Sequence, residues 1–326
     1  MALLLNKDDV TKVLDMSECI DIVEKAFAEL ASGTAVMPLR INITPPDGLA
    51  LYMPAYLKEM GALGCKVVTI YKNNPTKHNV PTTIGKVLMQ DIDTGDVTCI
   101  MDGGYLTAVR TGAGSGVATK YLARSDKRQI AGIFGAGVQA MTQLWAMAIV
   151  RDLAKAYVYD ISDEAATKFI KEMSAKLNLE IARANSPEQI LQEADIICTA
   201  SSSPTPLFDG NKVKPGVHIN NIGSHTPNTR EMDSTIIKRS RVIADSYQAC
   251  LNEAGDIMFP IKEGVVDESH LKAELGEVVI GKKPSRSDDK EITLFKSNGL
   301  AIQDVATAKL VHEKALQAGI GVEVKL

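Results

Sequence analysis

Hydrophobic spacing divides the chain into two stretches of different rhythm. Before Lys127 the pattern is mixed. Apolar residues recur every three or four positions over 8–14 and 17–31, which predicts helices, with Ser17 as a cap and Glu18 and Asp21 as an acidic start. Alternating or continuous apolar runs at 50–56, 64–70 and 85–91 predict strands. The turn signal at 93–96 returns the chain as a hairpin partner at 97–101, and 105–122 has helical spacing. From Lys127 on, strand and helix alternate. Strands are expected at 130–134, 156–159, 179–182, 196–199, 218–222 and 241–244, and helices at 138–150, 163–176, 186–193 and 231–238. Several of these strands are apolar on both faces, as in a parallel sheet covered on both sides. A strand at 292–295 and a long helix at 301–317 close the chain, and that helix is expected to return to the first domain.

One junction in the second stretch carries chemistry. Gly135, Gly137 and Ala140 stand between an apolar strand and a helix, in the order Gly-x-Gly-x-x-Ala. Gly135 lets the backbone turn sharply. Gly137 leaves room for a pyrophosphate. Ala140 allows close packing of helix on strand, and the helix N-terminus offers unpaired N–H groups to phosphate. This is a dinucleotide-binding fingerprint. The next strand ends at Asp160, where an acid accepts the ribose hydroxyls and repels a 2′-phosphate, which favours NAD over NADP. A helix cap near Ser162 is the other reading of Asp160. Gly112, Gly114 and Gly116 imitate a phosphate loop, but no strand leads straight into them, and close helix packing accounts for them better.

Composition narrows the class. The chain has 326 residues, 45% hydrophobic and 23% charged, the profile of a soluble globular protein of about two domains. A net charge of −4 gives no general attraction to nucleic acid or to anionic membrane. Five scattered cysteines fit free thiols in a reducing compartment. The apolar run at the N-terminus is too short for a signal peptide, so the expected location is the cytoplasm. His78, His218, His270 and His312 show no metal-ligand spacing, and no metal is expected.

Three further side chains are candidates, each with two open readings. Arg110, among small residues, is a carboxylate clamp or a surface salt-bridge arginine. Lys66 sits in an apolar strand and is either buried with a partner or on an edge strand facing water. His225 follows a strand of the second stretch and is either an acid/base group in the cofactor crevice or a polar loop residue.

Several segments together resemble the ornithine cyclodeaminase/mu-crystallin family, with its alanine dehydrogenase and ketimine reductase members. They are Met53-Pro-Ala-Tyr56, Gly64-Cys-Lys66, Asn74-Pro75, Pro81-Thr82, Leu106-Thr-Ala-Val-Arg-Thr-Gly112, Gly135-Ala-Gly-Val-Gln139, Asn221-Ile-Gly-Ser224, Glu274-Leu-Gly-Glu277 and Asn298-Gly-Leu-Ala-Ile-Gln-Asp304, in family order. The resemblance implies an α/β protein with a Rossmann-type NAD-binding domain, 116–300, inserted in a discontinuous α+β substrate and dimerisation domain, 1–115 plus 301–326. It implies NAD(H) as cofactor, a small amino or imino acid as substrate, and a homodimer. The family's carboxylate-binding arginine matches Arg110 and its active-site lysine matches Lys66; Arg40 and Thr82 match substrate-side residues. Thr111, Gly135, Gly137, Val138, Gln139, Asp160, Ser201, Gly223 and Asn298 fall at or beside the family's cofactor contacts. Met53 and Tyr71 are expected in the substrate pocket. The cyclodeaminases carry a catalytic aspartate where this chain has His225. The resemblance therefore favours an NAD-dependent oxidoreductase acting on a C–N bond over ornithine cyclodeamination, and over a non-enzymatic binding role of the mu-crystallin kind.

Overall fold

The computed structural model describes residues 1–125 and 127–325, which form two units: Met1–Arg110 with Leu300–Leu326, and Thr111–Gly299. In the first unit, β1 (Ala2–Leu5) leads to α1 (Lys7–Val13), whose start is fixed by a capping box between Asn6 and Asp9. The next helix, α2 (Met16–Ser32), is capped by Asp15, which accepts from the Ser17 amide. Ser17 is the cap expected from the sequence; Asp15, two residues earlier, takes that place and its carboxylate accepts the Ser17 amide. Gly33 ends α2 in the left-handed region at φ 76°, where a side chain would be strained.

Short strands β2 (Ala35–Val36) and β3 (Ile41–Ile43) precede the long hairpin of β4 (Leu49–Leu57) and β5 (Ala62–Ile70). Then come α3 (Asn74–His78), β6 (Thr83–Gln90), β7 (Val97–Asp102) and α4 (Gly103–Leu122). The second unit contains β8 (Gln129–Phe134), α5 (Val138–Val150), β9 (Leu153–Tyr159), α6 (Asp163–Leu177), β10 (Ile181–Arg183), α7 (Pro187–Glu193), β11 (Ile196–Thr199) and β12 (His218–Asn221). It continues through α8 (Ser234–Arg239), β13 (Ser240–Ala244), α9 (Tyr247–Glu253), α10 (Gly255–Lys262), β14 (Leu271–Glu274), α11 (Leu275–Val279) and β15 (Ile292–Lys296). Finally α12 (Ala301–Ala318) and β16 (Val322–Val324) return to the first unit.

The first unit is built on a sheet ordered β16-β1-β7-β6-β5-β4-β2, with β3 also paired to β4. Its pairs are antiparallel except β1 with β7. The helix α12 packs against α1, α2, β4, β5 and β6, so an 18-residue helix from the chain's end covers one sheet face. The second unit is a parallel sheet ordered β10-β9-β8-β11-β12-β15-β13-β14. Strands β9 and β10 lie on one side of β8, and β11 and β12 on the other. The order reverses between β8 and β11, and a doubly wound sheet opens its ligand crevice at the carboxyl ends of strands at such a point.

Two expected boundaries move for a clear reason. The helix expected over 231–238 begins at Ser234, because Asp233 caps it and the amides of Glu231 and Met232 are bound by Asp256. The strand expected at 179–182 starts at Ile181, since Asn178 ends α6 in the left-handed region at φ 47°. The glycine-rich run from Gly112 to Gly116 lies inside α4 and is fully buried; it is helix, not a phosphate loop.

Candidate active site

In the first unit, Lys66 lies on β5, a strand flanked by β4 and β6, so the edge-strand reading fails. It is 2% exposed. Its Nζ lies 2.9 Å from Asp304 Oδ1 and 2.8 Å from Oδ2. Arg110, on α4, is buried as well, and its Nε donates to the same Oδ1 at 2.8 Å. Its Nη1 donates to Gln303 Oε1 at 3.1 Å, and that oxygen also accepts the Leu300 amide at the start of α12. The surface salt-bridge reading of Arg110 is thereby excluded. Asp304 is fully buried.

The charges at this cluster do not balance. Two cations share one carboxylate, with Arg40 adding further positive field. Burial and then Arg110 push the Lys66 ammonium down from its ordinary range to about 7; Asp304 opposes the shift, and Arg40 adds to it. A buried lysine poised near neutrality beside an excess of positive charge suits two tasks. It attracts an anionic substrate, and it passes a proton. Met53 faces Lys66 in the β4–β5 register and is buried. Tyr71 donates its amide to the Thr82 carbonyl at 2.8 Å, and its ring fills the space beside Gly48. These two are half-buried.

In the second unit the glycine turn has the expected backbone. Gly135 has φ +98°, and a Cβ there would lie 2.6 Å from the Ala200 carbonyl oxygen. At Gly137 a Cβ would meet nothing within 4 Å, so the turn leaves open space in front of α5. Gly137 is also the N-cap of α5, with no side chain capping the helix, and Val138 beside it is 66% exposed. Gln139 is half-buried. Asp160 closes the turn: Oδ2 accepts the Ala136 amide at 2.8 Å and Oδ1 the Ser162 amide at 2.8 Å. The cap of α6 is Ser162, so Asp160 is not that helix's cap. A carboxylate has about four acceptor positions, so two remain for a diol. An uncapped helix start, an empty cradle and an acid at the end of the second strand fit a dinucleotide.

Ser201 and Gly223 lie after β11 and β12 and are joined by one side chain, Glu231. The Asn298 amide donates to Asp245 Oδ2 at 2.6 Å. Thr111 is buried within α4. His225 is exposed, with Nδ1 3.3 Å from the Gly223 carbonyl oxygen. Among the described residues, no group of three His, Cys, Asp or Glu side chains is placed to hold a metal. No helix of the described residues is long and apolar enough to cross a membrane.

Gln303 and Asp304 lie in a segment that carries the resemblance but have no role in the sequence reading, and Glu231 is not singled out there at all. Asp304 carried a usable signal: an acid inside the apolar start of a long helix needs a buried partner, the same rule that singled out Lys66.

Residues 2–319 match the model of the ornithine cyclodeaminase/mu-crystallin family. The chain belongs to this family. Among its members, a Delta(1)-pyrroline-2-carboxylate reductase of Bacillus cereus is 37% identical over 329 residues, covering 99% of each chain. The same enzyme from Thermococcus litoralis, solved in complex with NADH and L-proline, is 48% identical with a TM-score of 0.95, over 99% of this chain and 100% of that one. An archaeal alanine dehydrogenase dimer with bound NAD is 35% identical with a TM-score of 0.94, over 100% and 99%.

Proposed function

We propose that this family member is an NADH-dependent reductase of a small cyclic 2-imino acid, with Delta(1)-pyrroline-2-carboxylate as substrate and proline as product. The observation that carries the reading is the buried Lys66–Asp304–Arg110 cluster, in which two cations share one carboxylate and the lysine of the pair is poised near pH 7. The 48% identity to an enzyme solved with NADH and L-proline supports the choice of substrate.

When bound, NADH supplies the hydride that the imine carbon accepts. Gly135, Gly137, Val138, Gln139, Asp160, Ser201, Gly223, Asn298 and Thr111 would hold it, with Asp160 on a ribose. Arg110 binds the substrate carboxylate, with Arg40 adding attraction. Lys66 delivers a proton to the imine nitrogen as the C=N electron pair moves there. Asp304 fixes both cations in place. Met53, Tyr71 and Thr82 shape the substrate side. His225 is exposed and is assigned no step. The C–N double bond is thus reduced by one hydride and one proton, and proline dehydrogenation is the reverse.

The test is NADH oxidation with pyrroline- and piperideine-2-carboxylate, and with pyruvate plus ammonia. The cyclic imines should give kcat/KM at least about tenfold above pyruvate plus ammonia, and NADH at least about tenfold above NADPH, the size of one well-placed charged contact. Faster turnover with pyruvate and ammonia would make the protein an alanine dehydrogenase instead. Release of proline from ornithine without net NADH change would make it a cyclodeaminase.

The chain is also proposed to work as a homodimer. Val36, Leu39, Ile41 and Ile43 are each more than 40% exposed around β2 and β3, and Tyr52, opposite Ile41, is 36% exposed. Several large apolar side chains exposed on one short stretch of chain support an interface there. Sedimentation should give a dimer that Ile41→Glu with Ile43→Glu dissociates; a monomeric wild type would refute this. The five free cysteines support a reducing, cytoplasmic setting.

A further inference from the structure

The second unit holds an expensive feature that the reaction above does not use. Glu231 is fully buried, in the bend that leads into α8. One oxygen, Oε1, accepts the Ser201 amide at 2.8 Å and the Ser201 hydroxyl at 2.6 Å. The other, Oε2, accepts the Gly223 amide at 2.9 Å and Asn221 Nδ2 at 3.2 Å. A Cβ on Gly223 would sit 2.4 Å from Oε1, so the glycine is required by the carboxylate beside it. The Glu231 backbone is fixed in turn: its amide and that of Met232 donate to Asp256 Oδ1 at 2.7 and 2.9 Å. Asp256 Oδ2 pairs with buried Lys296 at 2.9 Å, and Lys296 donates to the Ser224 carbonyl.

Three donors from two loops, and a fourth from the last residue of β12, therefore converge on one side chain. Those loops follow β11 and β12, the first two strands past β8 on the far side of the switch point. Simple loop closure would not demand a buried charge, which costs several kcal/mol to desolvate. A carboxylate here does what no neutral side chain can, since it accepts at both oxygens. A glutamine would turn its NH2 toward a donor on one side.

We infer that Glu231 is a positioning residue for the cofactor, holding the Ser201 and Gly223 loops at the spacing NADH requires. This rests on the proposed NADH dependence. It assigns Glu231 no contact with substrate and no proton transfer.

The experiment is Glu231→Gln in the full chain, read by fluorescence titration with NADH and by imine kinetics at saturating NADH. The NADH Kd should rise at least about tenfold, as expected when charge-assisted hydrogen bonds are lost. The KM for the imine should stay within about twofold. An unchanged Kd, or an equal rise in both constants, would reduce Glu231 to a general structural role and overturn the inference. If E231Q does not fold, hydrogen exchange on the wild type decides. The Ser201 amide should exchange at least about 100-fold slower than an open-loop amide without NADH present. Free exchange there would overturn the inference. A wild type that binds no NADH in the same titration would instead remove the proposed function on which it stands.

Discussion

Replacing Lys66 with methionine should lower kcat/KM for the cyclic imine by about 10³-fold, within the range for losing a positioned general acid. Methionine keeps the length and apolar stem of the side chain, so its packing against buried Met53 and α12 is largely retained. What it loses is the proton and one of two cations on Asp304. Arg110 remains to pair the carboxylate, so the variant should stay folded. Turnover within tenfold of wild type would remove Lys66 from the mechanism.

The wild-type pH profile gives an independent check, and its sign is fixed. Imine reduction needs the Lys66 ammonium, so kcat/KM is full below about 7 and falls as pH rises through it. Proline oxidation needs the neutral amine, so that rate rises through the same pH. In the substrate complex the carboxylate adds a negative charge near Lys66 and relieves the repulsion from Arg110 and Arg40. The limb in kcat should therefore lie at higher pH than the limb in kcat/KM. In the residual activity of Lys66→Met this limb should be missing. Opposite signs for the two directions are hard to obtain from any group other than a proton donor to the imine nitrogen. His218 does not supply the limb: burial pushes it down to about 3, between Thr293 and Asn220.

The parts of this molecule legible in sequence are those whose signal is local. The glycine turn can be read from three residues, because backbone strain at Gly135 and open space at Gly137 each need a missing side chain. Strand and helix alternation gave most of the second sheet, since buried parallel strands are apolar throughout. Lys66 stood out but its side of β5 did not, because Gly64, Val67 and Val68 are apolar or neutral on both faces. Its partner could not be paired from sequence. Asp304 lies 238 positions from Lys66 and 194 from Arg110, and only the return of α12 onto β5 brings them together. Glu231 was concealed differently. It falls inside the run with helical spacing at 231–238, but Asp233 caps α8 and Asp256 binds the Glu231 and Met232 amides, so Glu231 lies outside the helix with its side chain bonded to two separate loops. The strands β1, β2, β3 and β16 are short or exposed and carry too few positions for a pattern.

Asp304→Asn should be the most damaging conservative change in the chain. Asparagine has nearly the same shape, so no cavity forms, and the loss is electrostatic. Lys66 and Arg110 are left buried with no carboxylate between them. Breaking a buried ion pair from one side costs about 3–5 kcal/mol, since the remaining charge is uncompensated. The midpoint of urea unfolding at pH 6 should fall accordingly, with an unchanged slope. Part of that deficit must depend on pH. Asp304 holds the Lys66 ammonium up, so without it Lys66 titrates below about 7. At low pH both proteins carry the charged lysine and the variant bears the full cost. As pH rises through about 7, Lys66 becomes neutral in both, and its share of the difference disappears. The share from Arg110 persists. The stability gap should therefore narrow between pH 6 and pH 8 without closing. The pH limb of imine reduction should move to lower pH in the same variant, together with a fall in kcat/KM of at least about 100-fold. A gap that widened with pH, or a limb that moved upward, would mean that Asp304 does not hold the charge of Lys66, and the proton donor would have to be sought elsewhere.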